Sequence, residues 1–233
     1  MSSRRTKQVA YGIFYLAVFG LVVWAVAAPF LRRAVPPAAP LVGQPVAVLG
    51  VNVFAASAGY DTFLAKVANP NPDLAAQYFD YSFNLYDASG TLITSFPGRS
   101  FLYGGEVKYL LLPNQAIPGA VATADLTVPT ATIAWVATST FGGVPALAVE
   151  NVTTRVGSST AVAAGNLVDN DIDSFSDIVI IAVFKDAAGD PVGASQTEVD
   201  GIAPNQIEPF AVIYPALADI DPAATEVEAY AAR

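Results

Sequence analysis

The chain of 233 residues contains no cysteine and no histidine. Without thiols it forms no disulfide, offers no thiolate nucleophile and builds no cysteine zinc site. Without imidazole it has no Ser–His–Asp triad. A cysteine-free domain outside the cytoplasm has to be held by its own core. Charge is also scarce, with 13% of residues charged against 54% hydrophobic, which excludes a disordered, solvating polymer. Lys, Glu, Gln and Arg are scarce after residue 33. Val, Thr, Ile, Tyr, Phe, Gly and Pro replace them, a composition that favours short strands joined by turns. No Gly-rich phosphate loop or nucleophile elbow is present, and no two carboxylates stand out as an acid–base pair. The expectation is a protein without catalytic activity.

The basic residues are unevenly placed. Arg4, Arg5, Lys7, Arg32 and Arg33 fall in the first 45 residues, which hold no acidic residue. The rest of the chain keeps six basic residues against all 20 acidic ones, a net charge of −14. Such a surface repels phosphates, so nucleic acid is not an expected partner.

Val9 to Leu31 is an uncharged, apolar run of 23 residues. As a helix at about 1.5 Å per residue it is long enough for a hydrocarbon core of roughly 30 Å. Tyr11, Tyr15 and Trp24 suit the interfaces, and Pro29 falls in the last turn. The expectation is a single-pass anchor at 9–31, with a cytoplasmic tail at 1–8 and the mass beyond the helix extracytoplasmic. The flanking charges lean only mildly to that orientation. A second reading is a signal peptide cut after Ala25-Val26-Ala27. Either one exports the remainder. Val35-Pro36-Pro37-Ala38-Ala39-Pro40 then reads as a stiff spacer within residues 32–45.

Beyond the spacer the chain is organised by internal similarity. Pro113-Asn114-Gln115 and Pro204-Asn205-Gln206, each leading into an Ala-Val pair, lie 91 residues apart. Tyr86-Asp87-Ala88-Ser89-Gly90 matches Lys185-Asp186-Ala187-Ala188-Gly189, 99 residues apart. The unequal spacing implies eight surplus residues in the first copy, around the aromatic-rich Phe96–Gly105. They are either a longer loop or a protrusion in which Phe101 and Tyr103 meet a partner. Phe79, Tyr81, Phe83 and Leu85 alternate with Asp80, Ser82 and Asn84, a period of two that points the first set into a core. The fold class expected is mainly β: two tandem immunoglobulin-like β-sandwiches, at 46–140 and 145–233, behind a single transmembrane α-helix.

Phe83-Asn84-Leu85-Tyr86-Asp87 spells F-x-L-Y-D. In this the chain resembles the FxLYD-type domains, small β-sandwiches of prokaryotic envelope proteins. Asn69-Pro70-Asn71 and Asp169-Asn170 are similar to that family's Asn-rich turn, and Ala203-Pro204-Asn205-Gln206 to its late turn. The second copy departs from the hallmark with Val183-Phe184-Lys185-Asp186. The resemblance implies the fold and an envelope location, and it brings no catalytic residues.

Two segments allow a sharper reading beside a plain one. Asp169, Asp171, Asp173 and Asp177 stand at positions from which carboxylates can converge on Ca²⁺. The EF-hand pattern fails at Ser174 and Ile180, so the plain reading is a solvated acidic loop. Ile178 to Phe184 is apolar at both parities. One face enters a core, while Val179, Ile181 and Val183 on the other are either covered by the rest of the chain or form a partner surface. Asn151-Val152-Thr153 is a glycosylation sequon at chance frequency. The function expected is a membrane-anchored binding or scaffolding protein that engages an envelope protein or itself. The alternative is a structural subunit of a surface assembly.

Overall fold

The computed structural model describes residues 3–31, 40–57, 59–215 and 219–233, and within the helix the side chains of residues 8, 9 and 11–25. It comprises two compact units, one ending at Pro40 and the other spanning Leu41–Arg233.

The first unit contains α1, Ser3–Leu31, 29 residues long. It reaches back through the basic residues expected as a tail. Its described side chains are all exposed, among them Phe14, Leu16, Phe19, Leu21 and Trp24. Among the described residues no helix is long and apolar enough to cross a membrane. The expected span also draws on Ala10 and residues 26–31, whose side chains lie outside the described ones. Arg32, Arg33 and most of the proline spacer, through Ala39, lie outside the described residues too.

The second unit is mainly β, and every strand pairing in it is antiparallel. Its first half holds β1 (Ala47–Ser57), β2 (Tyr60–Ala68), β3 (Leu74–Tyr86), β4 (Leu92–Leu102), β5 (Val107–Ala116), β6 (Thr123–Thr127) and β7 (Ala134–Ala137). One sheet runs β1-β2-β5 and the other β4-β3-β6, with β7 also paired to β3. The second half holds β8 (Leu147–Val156), β9 (Thr160–Asp169), β10 (Phe175–Lys185), β11 (Pro191–Ile202), β12 (Ile207–Pro215) and β13 (Glu226–Tyr230). Its sheets run β8-β9-β12 and β11-β10-β13. The strand order of the first pair of sheets is thus repeated in the second.

Two-residue periodicity builds each core. Phe79, Phe83 and Leu85 of β3 are fully buried against Phe63, Ala65 and Val67 of β2. The Tyr81 ring meets Phe83 edge-on, with centroids 5.8 Å apart. In the second half Ile178, Ile180, Ala182 and Phe184 of β10 meet Phe210, Val212 and Tyr214 of β12. Phe184 stacks on Tyr214 at 5.3 Å. Burying such side chains is the main stabilising contribution, at about 1.5–3 kcal/mol for each large one.

Three turns recur with the same hydrogen bonds, which sets the true correspondence between the halves. The Asp87 carboxylate accepts from the Ser89 and Thr91 amides at 2.8 and 2.9 Å, and Asp186 accepts from Ala188 and Asp190 at 2.9 and 3.0 Å. Asn69 Oδ1 accepts from the Asn71 amide at 3.0 Å, as Asp169 Oδ1 does from Asp171 at 2.8 Å. At the third turn the Glu106 side chain accepts from the Tyr103 amide at 2.7 Å, and the Gln206 side chain from the Ala203 amide at 2.9 Å. Gly105 and Asn205 share the left-handed conformation, with φ of 73° and 62°.

The partner of Ala203–Gln206 is therefore Tyr103–Glu106, not Leu112–Gln115. Pro113-Asn114-Gln115 lies inside β5, whereas Pro204-Asn205-Gln206 is a turn. The eight-residue surplus inferred from the P-N-Q spacing disappears with that alignment: β4 and β11 have 11 and 12 residues. Phe96 to Leu102 is strand, not a protruding loop.

Candidate functional site: the cleft between the two halves

β10 carries apolar residues at both parities because both of its faces are covered. Val179, Ile181 and Val183 pack with Phe54 of β1, Leu64 of β2, and Tyr109 and Leu111 of β5. Ile181 and Val183 are 3% and 0% exposed. This face is occupied within the chain and does not form a free surface for a partner. Tyr103, expected on a protrusion, is also buried. Its hydroxyl donates to the Ala231 carbonyl at 3.1 Å and accepts from the Arg233 amide at 2.9 Å. Phe101, half-buried, lies edge-on to Tyr103 at 5.6 Å.

Polar contacts lock the same junction. The Tyr109 amide donates to the Tyr230 hydroxyl at 3.1 Å. Glu226 of β13 accepts from Lys185 at 2.6 Å and from the Tyr109 hydroxyl at 3.1 Å, with Lys66 of β2 at 3.7 Å. Burial pushes the Glu226 carboxyl up, but the Lys185 hydrogen bond and the charges of Lys185 and Lys66 outweigh it and leave it below its ordinary value.

The four candidate calcium ligands have other uses. Arg233 pairs with Asp171, and with Asp173 at 2.6 Å. Asp177 Oδ2 accepts from the Ser176 hydroxyl at 2.8 Å. Asp169 is fully buried, and among the described residues its Oδ2 has no hydrogen-bond partner. Among the described residues no group of three or more such side chains is placed to hold a metal ion. The positive charge that the acidic loop gathers is a guanidinium.

Where β4 and β5 meet β10, β11 and β13 the packing leaves a cleft of about 330 Å³. Buried Lys108, Leu110, Ile181 and Tyr230 form its inner lining, and exposed Arg99, Ser176 and Asp177 its outer side. Lys108 is the unusual member, 6% exposed at the start of β5. Its ammonium makes a long 3.5 Å hydrogen bond to the Phe101 carbonyl. It lies 3.5 Å from the Phe101 ring centroid and 5.1 Å from that of Tyr230. Among the described residues no carboxylate pairs with it. Glu106, which attracts it from a distance, is hydrogen-bonded to the Tyr103 amide. Burial pulls the Lys108 amine down to about 8, with Glu106 opposing the shift only in part.

Sequence reasoning missed Lys108, Tyr109, Tyr230 and Glu226. One signal was available: Lys108 is one of four lysines and interrupts the apolar run Val107–Leu112. No pattern in the sequence announces which faces of the two halves meet.

No family model matches the chain, and no curated protein matches it. Among solved structures, the red sea bream transglutaminase is similar over 82% of this chain and 31% of its own, at 11% identity and a TM-score of 0.25. This chain thus spans about a third of that protein's length.

Proposed function

We propose that this chain is a membrane-anchored binding or scaffolding protein, non-enzymatic, whose second unit is a tandem pair of immunoglobulin-like sandwiches of the FxLYD type held outside the cytoplasm. The observation that carries the reading is the character of α1, whose described side chains are predominantly apolar and all exposed. A helix apolar all round is stable when lipid or protein surrounds it. The uncharged run 9–31 is long enough for lipid to do so, and 193 residues of strand-built mass follow at Leu41–Arg233. The repeated sheet order and the repeated turns support a duplicated module. The shared apolar junction supports a single stiff body over two beads on a string, which suits a module that presents a site at a fixed place.

The test is alkaline carbonate extraction of membranes from cells expressing the full chain, followed by protease added from outside. Retention in the pellet, with loss of the second unit to the protease, is expected. Release into the supernatant, or full protection of the second unit in sealed cells, overturns the anchor and its orientation.

A further inference from the structure

We propose that the cleft around Lys108 binds a small carboxylate with an apolar body, the carboxylate seated on the Lys108 ammonium and the body against Leu110, Ile181 and Tyr230. The inference rests on the reading of the chain as a binding module and gives that module a ligand class.

Among the described residues no carboxylate is paired with the Lys108 ammonium. A buried ammonium normally has an anion beside it, because removing it from water is otherwise uncompensated. Lys108 has one long hydrogen bond and two aromatic faces, which stabilise a cation but satisfy few of its three N–H donors. Glu106 does not serve as its anion: that carboxyl is pushed up by burial, is drawn down by Lys108, and bonds the Tyr103 amide. The cleft in front of the ammonium is an open volume of about 330 Å³. That lies at the small end of ligand pockets, roughly 300–1,000 Å³, and is too small for a folded partner or a long peptide. Leu110, Leu111, Val179 and Ile181 give its lining an apolar side, and Ser100 and Gln196 are uncharged, so the amine is the one charge within. On its outer side Arg99 and Asp177 bring one charge of each sign, and Arg99 is already paired with Asp80 at 2.6 Å. The unpaired positive charge therefore lies inside. Only an anion that carries its own apolar surface meets both demands.

An anion seated on Lys108 also reverses the penalty that pulls its amine to about 8. The titratable groups around it are Glu106 and Tyr230, with Tyr109, Asp177 and Arg99 elsewhere on the lining of the cleft.

With only four lysines, the full chain in lipid nanodiscs is suited to NMR with ¹³Cε-labelled lysine. The probe is 3-phenylpropionate, with 3-phenylpropionamide as its uncharged counterpart. The Lys108 titration midpoint should rise by at least one pH unit with the carboxylate and stay put with the amide. Carboxylate affinity should fall at least tenfold in Lys108→Met, and at least tenfold between pH 7 and pH 10 in the native chain. An unmoved Lys108 signal at 10 mM probe, equal affinity for the amide, or unchanged affinity in Lys108→Met overturns the proposal. The native-chain titration stands whether or not the variant folds. A negative result leaves the membrane-anchored scaffold standing, since extraction and protease access measure that separately.

Discussion

Lys108 and Asp169 are buried ionisable side chains, and each makes a prediction. The Lys108 amine titrates near 8 in the folded chain, whereas an unfolded lysine holds its proton to about 10.5. Below 8 the cost of the buried ammonium is fully present. Between those values the unfolded state binds more protons, so stability rises with pH. A shift of this size corresponds to roughly 3 kcal/mol. Tyr103, pushed up by burial to about 12, and Tyr230, pushed up further still, act in the opposite sense once pH exceeds 10. Urea unfolding should therefore show stability rising from pH 8 to about 10 and then falling. In Lys108→Met the rise should vanish, with a gain of about 1–3 kcal/mol at pH 7. An unchanged rise would place the titrating group elsewhere. Asp169 has a natural control in the other half. Its counterpart Asn69 uses Nδ2 to donate to the Leu74 and Tyr103 carbonyls, at 2.7 and 2.8 Å, while Asp169 Oδ2 has no partner among the described residues. Asp169→Asn should stabilise the chain by about 1–3 kcal/mol, read as a higher urea midpoint. A lower midpoint would mean that the carboxylate has a partner such as a cation.

At the scale of elements, β10 is the strand on which both the second half's core and the junction depend. From Ile178 to Phe184 its even residues serve the core, and its odd residues serve the junction. Ile181→Lys places a charge where 3% of the side chain is exposed, and it should cost at least about 3 kcal/mol or abolish folding. If the odd face were a partner surface, the same change would leave the melt unaltered. Much of this is legible in the sequence. The alternation of Phe79 to Leu85, the D-x-x-G turns and the double-faced run of β10 all follow from a two-residue period and from turn chemistry. The P-N-Q correspondence and the surplus built on it fail for one reason. P-N-Q reads as a turn in both copies, but in the first copy it is strand, and the matching turn is spelled Tyr-Gly-Gly-Glu. Identical letters need not mark equivalent positions: Asn114 and Asn205 are both left-handed, with φ of 53° and 62°, yet the residue equivalent to Asn205 is Gly105 at 73°. The acidic loop shows its carboxylates, but its guanidinium partner lies 60 residues further along, out of reach of any local pattern.

The molecule as a whole is a helix followed by a strand-built unit in which two similar halves are fused. The fusion rests on the apolar cluster of Phe54, Leu64, Tyr109, Ile181, Val183, Ala194 and Tyr230, and on Glu226 held by two lysines and a tyrosine. The ion pairs are partly exposed and contribute little individually. The apolar cluster carries the coupling. Glu226→Gln should therefore lower the melting temperature only slightly, by about 1 kcal/mol or less of stability, and leave the transition single. A cleft formed across such a junction keeps its shape only if the halves do not separate. The most direct test of that claim is calorimetry of the full chain in nanodiscs. One transition in the strand-built unit is expected, with equal calorimetric and van't Hoff enthalpies. Two resolved transitions, one for each half, would contradict it.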